Sequence, residues 1–188
     1  MTEKLFFTAD THFGHSAVIR YSRRPFADVD EMDAELIRRW NVVVPPDGEV
    51  YHLGDVSFRK NAATLAILKR LNGRKHLIKG NHDRLNGETK SQFVDVADLR
   101  ELKIDGRKIV LCHYPMESWN RMAYGSWHLD GHSHGNLIEF GLRADVGVDC
   151  WVQAPVSYGE LAQYMATRSI EARDHHVPHP DSDSVDQL

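Results

Sequence analysis

Cysteine is nearly absent from this chain, which holds only Cys112 and Cys150. Both sit inside apolar runs, so two buried free thiols are expected rather than a disulfide or a thiolate metal site. Also missing is any apolar run near the roughly 20 residues that would span a bilayer, so no membrane partner is expected. Met1-Thr2-Glu3-Lys4 leads directly into Leu5-Phe6-Phe7, without a signal peptide's basic start and long apolar stretch. A cytoplasmic location follows from that reading. Positive charge is in deficit: 23 Lys and Arg stand against 27 Asp and Glu, a formal net charge of −4. That balance disfavours a protein that coats nucleic acid through bulk electrostatics. Local runs escape the average, and both Arg20-Arg23-Arg24 and Lys69-Arg70-Arg74-Lys75 read as solvated faces, with a phosphate-bearing ligand as the alternative.

Length and composition suit one soluble domain with a substantial core, since a domain of ~150 residues buries roughly 70% of its unfolded surface. Residues 1–170 are expected to form that domain. Residues 171–188 are expected to form a loosely ordered polar tail, and its His175, His176 and His179 are given no role.

Leu5 to Thr8 and Val50 to Leu53 read as buried strands, each ending just before a carboxylate, Asp10 and Asp55. Between them Asp28 can cap a helix whose stripe is Val29, Met32, Leu36 and Trp40. A second helix, from about Asn61 to Leu71, leads through Asn72-Gly73 into a strand from His76 to Lys79. Strand, helix, strand, helix, strand implies right-handed crossovers and a largely parallel sheet, with ligands bound beyond the strands' carboxyl ends. The second half reads differently. Leu99 to Ile104 and Arg107 to Cys112 flank the hairpin signal Asp105-Gly106, and Trp127 to Leu129 and Asp145 to Trp151 are further strand candidates. Ser157 caps a last helix to about Thr167. The fold class expected is α/β, two packed mixed β-sheets flanked by helices.

Histidine, by contrast, is plentiful, with twelve in the chain. Several lie in five short clusters: Asp10-Thr11-His12, Gly54-Asp55, Gly80-Asn81-His82-Asp83, His113, and Gly131-His132-Ser133-His134. They offer seven candidate ligands, all oxygen or nitrogen donors, for two adjacent metal ions. Asp10 and His12 are two residues apart, as are His132 and His134, and in extended structure such pairs point to one face. One pair alone occurs by chance. All five clusters together, most of them after a strand-like run, are the layout of a two-metal hydrolase.

The order of these clusters resembles the calcineurin-like metallophosphoesterase superfamily, whose pattern reads Asp-x-His, Gly-Asp, Gly-Asn-His-Asp/Glu, His, Gly-His-x-His. The resemblance runs from Leu5 to about Leu161, and the segments Thr8 to His15 and Leu111 to Pro115 look like small single-domain bacterial and phage members. It implies that Asp10, His12 and His134 bind one metal, that Asn81, His113 and His132 bind a second, and that Asp55 bridges them. It also implies His82 as general acid or transition-state stabiliser, and Arg59 as a candidate substrate clamp. The cofactors implied are two divalent transition-metal ions, manganese first and iron, nickel or zinc as alternatives. A hydroxide between them would attack phosphodiester or phosphomonoester bonds of small or nucleotide-like substrates.

In the protein-phosphatase branch an Asp that orients the catalytic histidine stands where this chain has Phe58. Another group must then orient His82, and Asp83 or a backbone carbonyl is the candidate. A metal-dependent nuclease is the alternative within hydrolases, with nucleic acid a less favoured partner. A catalytically silent scaffold is the alternative outside them. His15, His52, His76 and His128 are expected to pack or to orient ligands from behind. Trp119, Asn120, Arg121, Tyr124 and Trp127 are expected mainly to pack, with contact to a base as the alternative.

Overall fold

Two mixed β-sheets face each other in the computed structural model, which describes residues 2–171 and 173. The first is built from β1 (Leu5–Thr8), β2 (Glu49–His52), β3 (Arg74–Ile78) and β4 (Phe93–Ala97), with β9 (Val156–Ser157) at one edge. Its order is β4-β3-β2-β1-β9, and only β9 runs antiparallel to its neighbour. The second sheet is β5 (Leu99–Ile104), β6 (Arg107–Cys112), β7 (Trp127–Asp130) and β8 (Arg143–Asp145), in that order. There β5 and β6 are antiparallel and the remaining pairs parallel. The helices are α1 (Ser16–Tyr21), α2 (Val29–Val43), α3 (Asn61–Leu68), α4 (Gly87–Lys90) and α5 (Tyr158–Ala166). The α/β class with two packed mixed sheets is therefore the architecture found.

Alternation along the strands sorts the core into layers. Phe6, Val50 and Leu77 face α2 and α3, where Met32, Leu36, Trp40, Ile67 and Leu68 complete one cluster. Phe7, Tyr51 and Ile78 point the other way, against Ile109, Leu111, Trp127 and Leu129 of the second sheet, with Leu161 and Met165 of α5. Full burial of each such side chain is worth about 1.5–3 kcal/mol, so this inter-sheet layer is a principal source of stability. Val110, on the outer face of the second sheet, packs on Trp119 and Met122 from the connection that follows β6 and on Phe140 from the one that follows β7. Trp119 and Trp127 are thus core residues.

Local chemistry accounts for the boundaries. The Asp28 carboxylate accepts the N–H groups of Asp30 and Glu31 at the start of α2, and Glu31 reaches back to the N–H of Ala27. Ser157 and Glu160 form a reciprocal capping box on α5. Asp105 and Gly106 both take positive φ, 48° and 78°, as a tight two-residue hairpin requires.

Four expectations are corrected. The strand expected from Asp145 to Trp151 ends at Asp145, because that carboxylate accepts the Gly147 N–H at 2.7 Å and turns the chain. Arg24 and Lys75 are buried rather than solvated. Arg24 is gripped by Asp149, and the Lys75 ammonium donates to the carbonyls of Leu71 and Gly73. Neither cysteine is fully buried: Cys112 is half-buried and Cys150 exposed, although both thiols are free. β4 had no strong sequence signal, since its residues are mostly half-buried and do not alternate cleanly.

Of the expected tail, residue 172 and residues 174–188 lie outside the described residues. Arg173 stacks on the Phe140 ring, 3.6 Å from its centroid. No helix among the described residues is long and apolar enough to cross a membrane.

Candidate metal centre

Because β1, β2 and β3 are parallel, as are β6 and β7, all five clusters emerge at one end of the sandwich. The loops after β1 and β2 are joined by backbone bonds that continue the sheet: Asp10 N–H to Gly54 O, His12 N–H to Asp55 O and Phe13 N–H to Val56 O, each 3.0 Å. The buried Thr11 hydroxyl strengthens this seam. It donates to Val56 O at 2.8 Å and lies 3.0 Å from Nε2 of His52, whose Nδ1 accepts the Gly54 N–H. Burial holds His52 neutral, with its pKa lowered to about 3.

The paired ligands do not converge through extended backbone. Asp10, His12, Asp55, His132 and His134 all have left-handed φ, between 50° and 66°. Such φ values are uncommon for residues other than glycine, and they cluster where surrounding structure fixes a functional geometry. The seam and the motif glycines supply that support. A Cβ on Gly131 would lie 2.5 Å from Oδ2 of Asp10, and one on Gly80 would lie 2.2 Å from Oδ1 of Asp55. Only glycine allows these loops to approach so closely.

The donors fall into two groups, Asp10 with His12 and His134, and Asp55 with His113 and His132. Within each group the ligand atoms lie within 4.8 Å of one another. Asn81 joins the second, its Oδ1 lying 3.0 Å from Nε2 of His113 and 3.1 Å from Nδ1 of His132. Oδ2 of Asp55 sits between the groups, 3.6 Å from Nε2 of His12 and 3.7 Å from Nε2 of His113.

This donor set fits divalent cations. Oδ1 of Asp10 and both ring nitrogens of His12 are buried without a hydrogen-bond partner, a costly arrangement that a coordinated ion removes. His113 donates from Nδ1 to Leu53 O at 2.7 Å, so in the neutral ring a bare Nε2 faces a second acceptor, Asn81 Oδ1. Lone pair against lone pair is relieved by a cation between them. Burial raises the Asp10 pKa to about 7 and lowers that of His12 to about 3. The same cause lowers His132. Low-pKa imidazoles are neutral near pH 7 and ready to ligate.

Two residues that sequence reading passed over complete the centre. Asp149 accepts a 2.6 Å bond from Nδ1 of His134, leaving Nε2 free to face the site. Arg24 binds both oxygens of Asp149 at 2.8 Å and donates to the carbonyls of Asp10 and Thr11. Burial would raise the Asp149 pKa, but the bonds from His134 and Arg24 outweigh it and hold the carboxyl below the ordinary range. The result is a carboxylate–histidine pair of the kind that fixes a metal ligand's ring. Asp149 lies in an apolar stretch, Val146 to Val152, that reads as a strand, so no local feature signalled it.

His82 stands at the open side of the centre. Its exposed ring places Nε2 3.9 Å from Oδ2 of Asp55, and its N–H donates to Oδ1 of the same residue. Asp83 does not orient this ring, which corrects that expectation. Its carboxylate instead accepts the N–H groups of Asp55, Val56 and Gly80, all at 2.9 Å. What touches the His82 ring is Phe58, at 4.7 Å between centroids, and Phe58 stacks in turn on His15 at 4.0 Å. Arg59 lies on the wall beside them, its guanidinium paired with Asp30 and Asp33 of α2. Across the centre the half-exposed Tyr114 packs edge-on against His113 and His132, a contact no sequence feature had marked. His76 pairs with Glu49 and Asp95, and His128 accepts the Met116 N–H, so both have structural roles.

Comparison with known proteins bears on the family and the fold. The chain is 38% identical over 138 residues to the uncharacterised protein MJ1445 of Methanocaldococcus jannaschii, covering 72% of each. It is 27% identical over 179 residues to the Gene 66 protein of Mycobacterium phage L5, covering 77% of this chain and 86% of that one. The solved structure of AQ665, a protein of unknown function from Aquifex aeolicus, superposes with a TM-score of 0.68 at 24% identity, over 85% of this chain and 98% of that one. That likeness shows a shared fold. The family model for the calcineurin-like phosphoesterase superfamily domain matches residues 4–147, a span that holds all seven candidate ligands and His82, and the chain belongs to that superfamily.

Proposed function

We propose that this protein is a phosphoesterase that uses two divalent metal ions to hydrolyse phosphodiester or phosphomonoester bonds of small or nucleotide-like substrates. The observation that carries this reading is the position of Asp55, whose Oδ2 lies at nearly equal distance from a histidine of each donor group. Asp10, His12 and His134 would hold one ion, Asn81, His113 and His132 the other, and Asp55 both. When bound, such a pair of ions lowers the pKa of water and offsets the charge of phosphoryl oxygens. Nitrogen and oxygen donors without thiolate suit manganese, iron, nickel or zinc, and manganese is taken as the first candidate.

The chain's own residues do the rest. Arg24 and Asp149 hold His134 in one tautomer and ring orientation. Leu53 O does the same for His113. His82, exposed beside Asp55, faces the reacting group. As the bond from phosphorus to the leaving oxygen breaks and one to a water-derived oxygen forms, His82 gives its proton to the leaving oxygen. Phe58, itself stacked on His15, packs against that ring in place of a carboxylate.

The test is a matrix of metals and substrates on chelator-stripped protein. Manganese, iron, nickel and zinc are added back and offered bis(4-nitrophenyl) phosphate, 4-nitrophenyl phosphate, cyclic nucleotides and short oligonucleotides. Metal-dependent turnover of at least one phosphoester is expected, and its loss in Asp55→Ala. No turnover with any metal, or full activity in Asp55→Ala, overturns the reading.

A further inference from the structure

A groove of about 490 Å³ opens beside His82, lined by Ser57, Phe58, Arg59, Lys60, Asn61 and Arg84. Its size is within the roughly 300–1,000 Å³ of sites that hold small molecules. No carboxylate is among its lining residues. Arg59 is already neutralised by Asp30 and Asp33, but Lys60 and Arg84 have no ion pair or side-chain hydrogen bond among the described residues. Two free cations on one wall run against the chain's net charge of −4. Free cations in a groove recognise an anion, and phosphate oxygens are their usual partners.

The direction of the groove gives that anion a place in the substrate. If His82 protonates the leaving oxygen, the leaving group departs on its side, into the space that Lys60 and Arg84 border. We infer that the preferred substrate is a phosphoester whose leaving group carries a second phosphate, as a nucleotide does. The exposed ring of Phe58, with His15 behind it, adds an apolar face on which the nucleoside part of such a group can rest. This assignment rests on the phosphoesterase reading of the same site, and it names which half of the substrate the protein recognises.

The experiment compares the dinucleotide TpT with its 5′-phosphorylated and 3′-phosphorylated forms. Hydrolysis by manganese-loaded protein gives KM, and calorimetry on chelator-stripped protein gives affinity without turnover. A terminal phosphate on the departing nucleotide is expected to lower KM and Kd about five- to tenfold against TpT, the scale of partly exposed charge pairs. In Lys60→Ala/Arg84→Ala that ratio falls to about one, and Lys60→Arg/Arg84→Lys restores it. Equal KM and Kd for all three dinucleotides, or a preference that survives the double alanine variant, overturns the inference while leaving the phosphoesterase reading intact. Tighter binding of the phosphorylated form, lost in the variant but without hydrolysis of any ester, keeps the groove's role and overturns the phosphoesterase reading instead.

Discussion

Nδ1 of His134 and the carboxylate of Asp149 meet at 2.6 Å, and the same carboxylate is clamped by the buried guanidinium of Arg24. Arg24 also holds the carbonyls of Asp10 and Thr11, so one guanidinium ties both arms of the first donor group together. Asp149→Asn keeps the shape of the side chain and removes its charge. It should weaken metal binding about 10- to 100-fold, the usual effect of losing a partner behind a ligating histidine. Titration of the stripped protein with manganese measures this, and unchanged affinity would show that His134 needs no such support.

Asp10 and His12 make the metal-free protein respond to pH in opposite directions. Burial raises the Asp10 pKa from 3.8 to about 7, so its contribution to stability is complete below 3.8 and is lost as pH rises through about 7. Burial lowers the His12 pKa from 6.5 to about 3, so its contribution is present above 6.5 and is lost as pH falls toward 3. Asp10→Asn, which cannot ionise, should therefore raise the Tm of metal-free protein at about pH 8 by roughly 2–8 °C, with the difference vanishing in acid. In the same variant, added manganese should raise the Tm less than in the parent, because only the second donor group is left intact. Calorimetry with chelator and with manganese checks both, and a variant less stable than the parent at pH 8 would contradict the cause given for the shift.

Loss of His82 should depend on the leaving group. His82→Ala is expected to lower kcat about 10²- to 10⁴-fold for an alkyl or nucleoside ester, which needs a proton, and far less for a 4-nitrophenyl ester, which does not. Metal content should be unchanged. Equal losses on both esters would assign His82 to binding rather than to proton transfer.

Much of this arrangement was legible in the chain because its chemistry is local. Strand ends followed by Asp, Asn or His mark the candidate ligands, Asp28 marks the start of α2, and Asp105-Gly106 marks the hairpin. Arg24 and Asp149 were not legible, because 125 residues separate them and only the closed fold shows that they pair. The left-handed backbone of Asp10, His12, His132 and His134 escaped for a related reason. Local preference favours extended structure at these residues, and the seam between loops and the tight approach at Gly131 override it. Asp83 looked free to orient His82, yet three backbone N–H groups from two loops already occupy it.

The position of Asp55 between the two donor groups is tested most directly by a crystal structure of the protein with manganese, using anomalous scattering to locate the ions. Two peaks about 3.5–4 Å apart, one beside Asp10, His12 and His134 and the other beside Asn81, His113 and His132, with the Asp55 carboxylate touching both, are predicted. A single peak at full manganese loading, or two peaks that Asp55 does not join, would contradict it.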